Sequence, residues 1–224
     1  MSLSKSDYLI NESINIKDNK TIDIAILFTD MVGSSKLWKD NESYMIKALE
    51  EQSKIMDKFS RKYNGYICKT IGDAFMISFD TIEDAIKCGL AIQTDLKDNP
   101  IKIGKKDTKL RIGICFGPVY ESKIKLQDNI LRDYFGNTVN TASRIEGGVC
   151  EEGGIAFTLT TDNAADINLD SILKGLNVDL ISFTNKGEDV KRSNRTLTDI
   201  HRHIYKNIKQ LKGIDEIDVF KIKL

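Results

Sequence analysis

Apolar residues in the first third of the chain recur with two different periods, which predict strands and helices in alternation. The apolar run Ile22–Phe28 predicts a strand. Over 41–62 the apolar side chains recur at helical spacing, so this stretch predicts an amphipathic helix. Two further apolar runs, Tyr66–Ile71 and Ala74–Phe79, are joined by Gly72-Asp73 and predict a hairpin with a short turn.

The remainder of the chain continues this alternation. Thr81, followed by the acidic Glu83 and Asp84, is typical of a helix N-cap, and the apolar pattern behind it extends to Leu96. Further along, the same reasoning predicts strands at Leu110–Phe116, Ile155–Leu159 and Ile217–Ile222, and helices at Thr138–Ile145 and Thr196–Gln210.

The order of these elements indicates a fold class. Strand, helix, strand, strand, helix and strand over 22–116 form the split βαβ arrangement of ferredoxin-like proteins. We therefore predict an α+β fold, with a ferredoxin-like βαββαβ core followed by additional C-terminal strands and helices. Residues 1–20 are polar and predict a loose N-terminal arm, which leaves 21–224 as one domain. Within that domain we interpret 182–210 as an insertion.

Charge and cysteine content narrow the class of protein. Lysine plus arginine and aspartate plus glutamate each number 33, so the formal net charge is zero, and we expect no nucleic-acid partner. The four cysteines show no CxxC spacing, which indicates free thiols in a reducing cytosol. We see neither a signal peptide nor an apolar stretch of about 18 residues, and we therefore expect a cytoplasmic protein with no membrane segment.

Two aspartates stand at the ends of predicted strands. Asp30 follows the first strand, and Asp73 lies in the predicted hairpin turn. Carboxylates held close together repel each other unless a cation neutralises them, and Mg²⁺ bound through oxygen and bridging to a substrate phosphate is the usual solution. The pair therefore predicts a metal-dependent enzyme of phosphoryl chemistry. The competing interpretation is that Asp30 only caps a strand-to-helix turn.

The residues after Asp30 suit a phosphate group. Met31 offers a backbone carbonyl beside the carboxylate. Val32, Gly33 and Ser34 then turn the chain into a helix N-terminus, where backbone N–H groups and the helix dipole favour a triphosphate. Neither a P-loop sequence nor GxGxxG follows a strand, which excludes the common nucleotide-binding folds.

Three further polar residues stand in otherwise apolar elements. Lys69, in the hairpin strand, is either an edge lysine that discourages strand association or a donor to a ring nitrogen of a nucleobase. Asn140 and Arg144 are spaced to share one face of a predicted helix. Arginine suits phosphate and asparagine can orient a sugar oxygen, whereas the competing interpretation is a solvated helix surface.

Four motifs combine these residues, and their order in the chain is specific although none is specific alone. They read FTDMVGSS from Phe28, KTIGDAF from Lys69, LRIGICFG from Leu110 and DYFGNTVNTASR from Asp133. Together they resemble the catalytic domain of class III nucleotidyl cyclases, the adenylate and guanylate cyclase family. In size the chain is similar to standalone bacterial members, which include pyrimidine cyclases of anti-phage defence.

The resemblance implies how the site binds metal and base. Asp30 and Asp73 would be the ligands of two Mg²⁺ or Mn²⁺ ions, assisted by the carbonyl of Met31. Lys69 and Asp133 would form the pair that selects the base. Lysine only donates hydrogen bonds and a carboxylate only accepts them, so this pair matches the N1 acceptor and N6 donor of adenine. Guanine presents the opposite pattern. The resemblance implies that guanylate cyclases of the family have a Glu/Cys pair in place of lysine and aspartate.

The resemblance also implies the remaining roles and the assembly. Asn140 and Arg144 would stabilise the transition state, and Lys212 would hold the terminal phosphates. The site would be shared between the two chains of a homodimer. His201 and His203 fall in the predicted late helix and outside the motifs, so we predict no histidine base.

We predict conversion of ATP to 3′,5′-cyclic AMP and pyrophosphate. Two alternatives stay open at this point. One is a cyclase acting on GTP, CTP or UTP, and the other is a catalytically inactive cyclase-like module that binds a partner or a nucleotide.

Overall fold

A computed structural model describes residues 15–40, 42–126, 129–161, 167–168, 171–172, 175, 178–181, 198–206 and 216–223. The strands in these ranges are β1 (Asn15–Met31), β2 (Tyr66–Ile71), β3 (Ala74–Phe79), β4 (Lys102–Ile103), β5 (Lys106–Asp107), β6 (Leu110–Leu126), β7 (Asn129–Phe135), β8 (Ile155–Leu159), β9 (Val178–Ile181), β10 (Thr198–Lys206) and β11 (Glu216–Lys223). The helices are α1 (Ser34–Asp40), α2 (Glu42–Lys62), α3 (Ile82–Asp98) and α4 (Asn137–Gly148).

The central sheet confirms the predicted ferredoxin-like core. Strands β2, β3, β1 and β6 lie side by side in that order, and each neighbouring pair is antiparallel. The sheet continues beyond β6 with β8, which is parallel to β6, and then with β11, β10 and β9. Strand β7 folds back on β6 as an antiparallel partner, while β4 and β5 form a separate small ribbon.

Alternate residues of β1 serve two different hydrophobic layers, as the two-residue period of a strand requires. Ala25 and Leu27 pack in the layer that includes buried residues of α2 and α3. Ile24, Ile26 and Phe28 pack in the opposite layer, which α4 and β7 cover. Asp30 continues the second series, so its side chain belongs to the face of the sheet that α4 covers.

Helix α4 lies directly on β6, and a glycine makes this possible. A Cβ atom built on Gly113 would lie 2.6 Å from both Cβ and N of Glu146 and 2.5 Å from the carbonyl oxygen of Ala142. Such distances are impossible for a real side chain, so any larger residue would push the helix away. Gly113 therefore fixes the height of Glu146 above the sheet.

The predicted helix at Thr196–Gln210 is wrong, because Thr198–Lys206 forms strand β10. This strand pairs antiparallel with β11, from Asp199 to Lys206. The spacing of Ile200 and Ile204 explains the error, since residues four apart share a face in a helix and also in a strand. Pairing with a neighbouring strand decides between the two. His201 and His203 consequently lie in a strand.

Other differences concern boundaries and short strands. β1 begins at Asn15, inside the stretch predicted as a loose arm, and β6 extends to Leu126, well past the predicted end at Phe116. The pattern of apolar residues does not predict β4, β5, β7 or β9. The division into arm, domain and insertion stays a prediction, since 1–14 and most of 182–210 lie outside the described residues.

The thiols are free, as predicted. Cys68, Cys88 and Cys115 are buried and Cys150 is half-buried. Burial raises the pKa of the Cys88 thiol to about 12, which leaves it protonated and unreactive. In the described part of the chain, no helix has the length and apolar character needed to cross a bilayer.

Candidate active site

Asp30 and Asp73 are adjacent at one edge of the sheet. Asp30 lies at the end of β1, and Asp73 lies in the turn between β2 and β3, where Gly72 adopts a φ of 65°. The backbone N–H of Met31 donates to Oδ2 of Asp73 at 3.2 Å, which ties the turn to the residue beside Asp30. From the core, the buried Gln52 donates its Nε2–H to the carbonyl of Asp73 at 2.9 Å.

Two residues that are not among the predicted site residues complete this cluster. Arg111 stands directly opposite Asp30 in the β1–β6 register. Its Nη2 donates to Oδ2 of Asp30 at 2.6 Å, and its Nε donates to Oε1 of Glu146 at 2.9 Å. We refer to Asp30, Asp73, Arg111 and Glu146 as the acidic corner.

The acidic corner holds three carboxylates against one guanidinium, and its pKa values reflect that imbalance. The pKa of Asp30 is raised, chiefly by burial and further by the nearby Asp73, while the hydrogen bond from Arg111 opposes the shift. Burial, reinforced by the charge of Asp30, raises the pKa of Glu146 from 4.5 to about 7. The group therefore has an excess of negative charge that an added cation would neutralise.

The donor set suits a hard divalent cation only in part. Asp30 and Asp73 are close together and supply carboxylate oxygen, the ligand type that Mg²⁺ and Mn²⁺ prefer. Across the described ranges no group of three or more His, Cys, Asp and Glu residues could hold a metal ion by itself. The pair thus fits an ion that takes further ligands from water, backbone carbonyl or substrate phosphate.

A β-bulge in β2 decides where Lys69 lies. Ile67 pairs with Ile77, whereas the following pair joins Lys69 to Met76, so β2 contains one extra residue. Directly paired residues of antiparallel strands share a face, and Met76 packs in the layer under α4 and β7. Without the bulge Lys69 would pair with Phe75 and face α2 and α3.

Lys69 and Asp133 form an ion pair across this face. Nζ of Lys69 donates to Oδ2 of Asp133 at 2.7 Å, and the side chains are 36% and 15% exposed. The other oxygen of Asp133 accepts from the backbone N–H of Tyr134 at 2.8 Å. Nζ of Lys69 also lies 5.5 Å from the centre of the Phe135 ring. The pair thus presents donors and acceptors beside an aromatic surface.

Asn140 and Arg144 lie on α4, with the helical spacing that the sequence predicted. Asn140 is exposed and Arg144 is half-buried. The residues that α4 turns towards the sheet are instead Thr138, Thr141, Ala142, Ile145 and Glu146, all buried. The two candidate residues thus lie on a different side of the helix from Glu146.

The remaining candidates are a turn and a lysine. Val32 and Gly33 form the turn between β1 and α1, and Ser34 begins that helix. Gly33 has a φ of 74°, and its carbonyl accepts from the N–H groups of Lys36 and Leu37 at 3.0 and 3.1 Å. The phosphate-binding role of this turn stays a prediction. Lys212 lies outside the described residues.

Of the two residues that were not predicted, Arg111 could have been noticed in the sequence and Glu146 could not. Arg111 belongs to the motif LRIGICFG, and an arginine inside an otherwise apolar strand requires a partner. Its partner depends on strand register, which the sequence does not state. Glu146 is buried because α4 packs closely on β6 at Gly113, and the sequence pattern alone gave no sign of that contact.

Comparison with known proteins places this chain in one family. The model of the adenylate and guanylate cyclase catalytic domain family matches residues 16–187. The chain therefore belongs to this family. The adenylate cyclase of Podospora anserina is 31% identical over 207 residues, which cover 75% of this chain and 9% of that protein. The chain thus spans less than a tenth of the length of such curated relatives.

Solved structures confirm the cyclase fold. The guanylate cyclase domain of RhGC from Catenaria anguillulae in complex with GTP is 19% identical, with a TM-score of 0.64, and the match covers 90% of this chain and 96% of that one. The adenylyl cyclase CyaB from P. aeruginosa is 18% identical, also with a TM-score of 0.64, covering 92% and 95% respectively. Because both kinds of cyclase match equally well, the choice of base must be argued from the site.

Proposed function

We propose that this domain converts ATP to 3′,5′-cyclic AMP and pyrophosphate at a site shared between two copies of the chain. The observation that carries the proposal is the Lys69–Asp133 pair, whose atoms lie 2.7 Å apart on the sheet face covered by α4 and β7. The pair offers a donor and an acceptor side by side. Adenine presents the complementary acceptor and donor along one edge, whereas guanine presents them in the opposite sense.

Binding of adenine would replace or extend the contact between these two side chains. The ammonium of Lys69 has three N–H donors and can serve Asp133 and a ring nitrogen together. Asp133 keeps its hydrogen bond from Tyr134 on one oxygen, so the carboxylate stays oriented while the other oxygen accepts from the amino group. A site of this kind discriminates strongly, because the wrong base leaves polar groups unpaired.

The acidic corner supplies the second half of the proposed site. Asp30 and Asp73, together with the carbonyl of Met31, would hold two Mg²⁺ or Mn²⁺ ions. When bound there, such ions lower the pKa of the ribose 3′-hydroxyl and neutralise phosphate charge. In the proposed reaction the 3′-oxygen bonds to the α-phosphorus as the bond to the pyrophosphate oxygen breaks.

Other residues would position the triphosphate. In the turn formed by Val32, Gly33 and Ser34, the N–H groups of Gly33 and Ser34 would face the phosphates, since the N–H of Val32 donates to the carbonyl of Lys109 at 2.9 Å. Arg144 would stabilise the charge that develops on the α-phosphoryl oxygens, Asn140 would orient the ribose, and Lys212 would bind the terminal phosphates.

The orientation of α4 supports a site completed by a second copy. Glu146 faces the acidic corner of its own chain, whereas Asn140 and Arg144 lie on a different side of the helix. They are therefore available to a nucleotide held by the acids of another chain. A two-fold homodimer would contain two such sites, each with acids from one chain and α4 residues from its partner.

Incubating the purified protein with ATP, GTP, CTP and UTP separately, in Mn²⁺ or Mg²⁺, tests the proposal. Mass spectrometry of the products should give 3′,5′-cyclic AMP as the main product, and none with Asp30→Asn. A greater yield of cyclic product from another nucleotide would overturn the choice of base. A protein that is folded and binds nucleotide but forms no cyclic product would instead be the inactive binding module.

A further inference from the structure

We propose that Glu146 is a positioning residue that sets the cation affinity of the acidic corner through Arg111. The inference rests on the proposed function, since it concerns the acids proposed to hold the metal ions. It starts from the observation that Arg111 binds two carboxylates at once, Asp30 through Nη2 at 2.6 Å and Glu146 through Nε at 2.9 Å.

Arg111 occupies one of the two oxygens of the carboxylate proposed to hold the cation. A guanidinium and a divalent cation are both attracted to the carboxylate of Asp30, so they would compete for it. If a cation displaced Arg111 from Asp30, the guanidinium would lose its partner. The side chain of Arg111 is only 26% exposed, so water would not fully compensate for this loss. That loss opposes cation binding unless another carboxylate balances the guanidinium.

Glu146 provides this second carboxylate in a fixed place. Its side chain is only 11% exposed, and its backbone is fixed by the contact of α4 with Gly113 on β6. Gly113 follows Arg111 by two residues on the same face of β6, so the contact lies next to the guanidinium. Glu146 would thus keep Arg111 paired while Asp30 holds the cation.

The same geometry predicts what happens when the charge of Glu146 is removed. With Glu146→Gln, Arg111 has Asp30 as its remaining carboxylate among these contacts and binds it more firmly. A cation must then displace the guanidinium at greater cost. Mutation of a residue that orients a metal ligand typically changes metal affinity roughly ten- to hundredfold. We expect the dissociation constant for Mn²⁺ to rise within that range.

The test measures Mn²⁺ binding to the nucleotide-free full chain by electron paramagnetic resonance and calorimetry. The matched control is Glu152→Gln, which makes the same charge change at an exposed residue whose partner, Lys109, lies 4.0 Å away. We expect Glu146→Gln to weaken binding and Glu152→Gln to leave it unchanged. Equal affinities for Glu146→Gln and the unaltered protein would overturn the proposal.

A double-mutant cycle separates action through Arg111 from simple attraction by a negative charge. In Arg111→Met the competitor is absent, so Mn²⁺ should bind at least as tightly as in the unaltered protein. Adding Glu146→Gln to Arg111→Met should then cause no further loss. A loss of the same size in both backgrounds would show that Glu146 attracts the cation directly, which contradicts the proposal.

Two further measurements keep the outcome decisive. Circular dichroism and thermal unfolding verify that each variant is folded.

If Glu146→Gln does not fold, Glu146→Asp replaces it. Shortening the side chain withdraws the carboxylate from Arg111 and should weaken Mn²⁺ binding less severely. Unchanged affinity in that variant also overturns the proposal. Intact Mn²⁺ binding without cyclic product would contradict the proposed function alone, whereas no Mn²⁺ binding at all would contradict both.

Discussion

The acidic corner and the Lys69–Asp133 pair lie on the same face of one sheet, yet they differ in charge balance. The corner has three carboxylates against one guanidinium, while the pair has one ammonium against one carboxylate. A group with excess charge attracts ions of the opposite sign, and its own pKa values shift in response. A balanced pair attracts no ion, but it offers donors and acceptors in a fixed arrangement.

The comparison indicates how one face can serve two kinds of recognition. Divalent cations and phosphates require charge, which the corner supplies in excess. A nucleobase is neutral and is recognised by the arrangement of its hydrogen-bond donors and acceptors. A balanced pair can complement that arrangement without attracting phosphate. Changes that alter the charge of one group should therefore leave the function of the other group intact.

The largest expected effect comes from removing one member of each half of the proposed site. Asp30→Ala and Arg144→Ala should each lower kcat by at least about 10³-fold, because each loses several kcal/mol of transition-state stabilisation. Mixed in equal amounts, the two inactive proteins should regain about a quarter of the original activity, since half of the dimers would be heterodimers with one intact site. Cyclic product formation measures both. No recovery despite proven subunit exchange would contradict a shared site.

The second effect reverses the hydrogen-bonding sense of the balanced pair. Lys69→Glu combined with Asp133→Cys should shift the ratio of kcat/KM for ATP to that for GTP by at least about 10²-fold towards GTP, because the site then complements guanine. Mn²⁺ affinity should stay unchanged, since the acidic corner is untouched. Lys102→Gln, on the separate β4–β5 ribbon, changes the net charge by the same amount as the double variant and is the control for charge alone. A double variant that keeps its preference for ATP would count against base selection by this pair.

A smaller effect comes from moving α4 relative to the corner. Gly113→Ala should lower the free energy of unfolding by roughly 1–3 kcal/mol, because its Cβ would collide with the backbone of α4. Gly147→Ala is the matched control within α4, since a Cβ there meets no atom within 4 Å. That change should be neutral or stabilising, as alanine favours helix. Urea unfolding measures both, and equal stability of the two variants would refute the close contact.

The last expected effect is a change in the pH dependence of stability. The pKa of Glu146 rises from 4.5 to about 7 in the folded protein, so the folded state binds this proton more tightly than the unfolded state does. The resulting contribution to stability is fully present below pH 4.5 and is lost as the pH rises to about 7. In EDTA, the melting temperature of the unaltered protein should therefore fall relative to that of Glu146→Gln across this window. Parallel curves would mean that Glu146 titrates normally.

The positions of many candidate site residues could be predicted from the sequence, because these residues lie at boundaries that local patterns mark. The apolar run before Asp30 and the Gly72-Asp73 turn placed two acids at strand ends without any knowledge of the sheet. Helical spacing placed Asn140 and Arg144 together on α4. Pattern reasoning failed at Thr198–Lys206, where Ile200 and Ile204 satisfy both periods and pairing with β11 decided the outcome.

The sequence by itself determined the order of the core elements and the identity of the acids, because short-range periodicity and turn chemistry are local properties. Only the tertiary structure decided which side chains meet. The bulge in β2 turned Lys69 towards Asp133, the β1–β6 register set Arg111 opposite Asp30, and the contact at Gly113 brought Glu146 to Arg111. Register, bulges and helix contacts depend on packing between segments distant in the chain, and no local pattern encodes them.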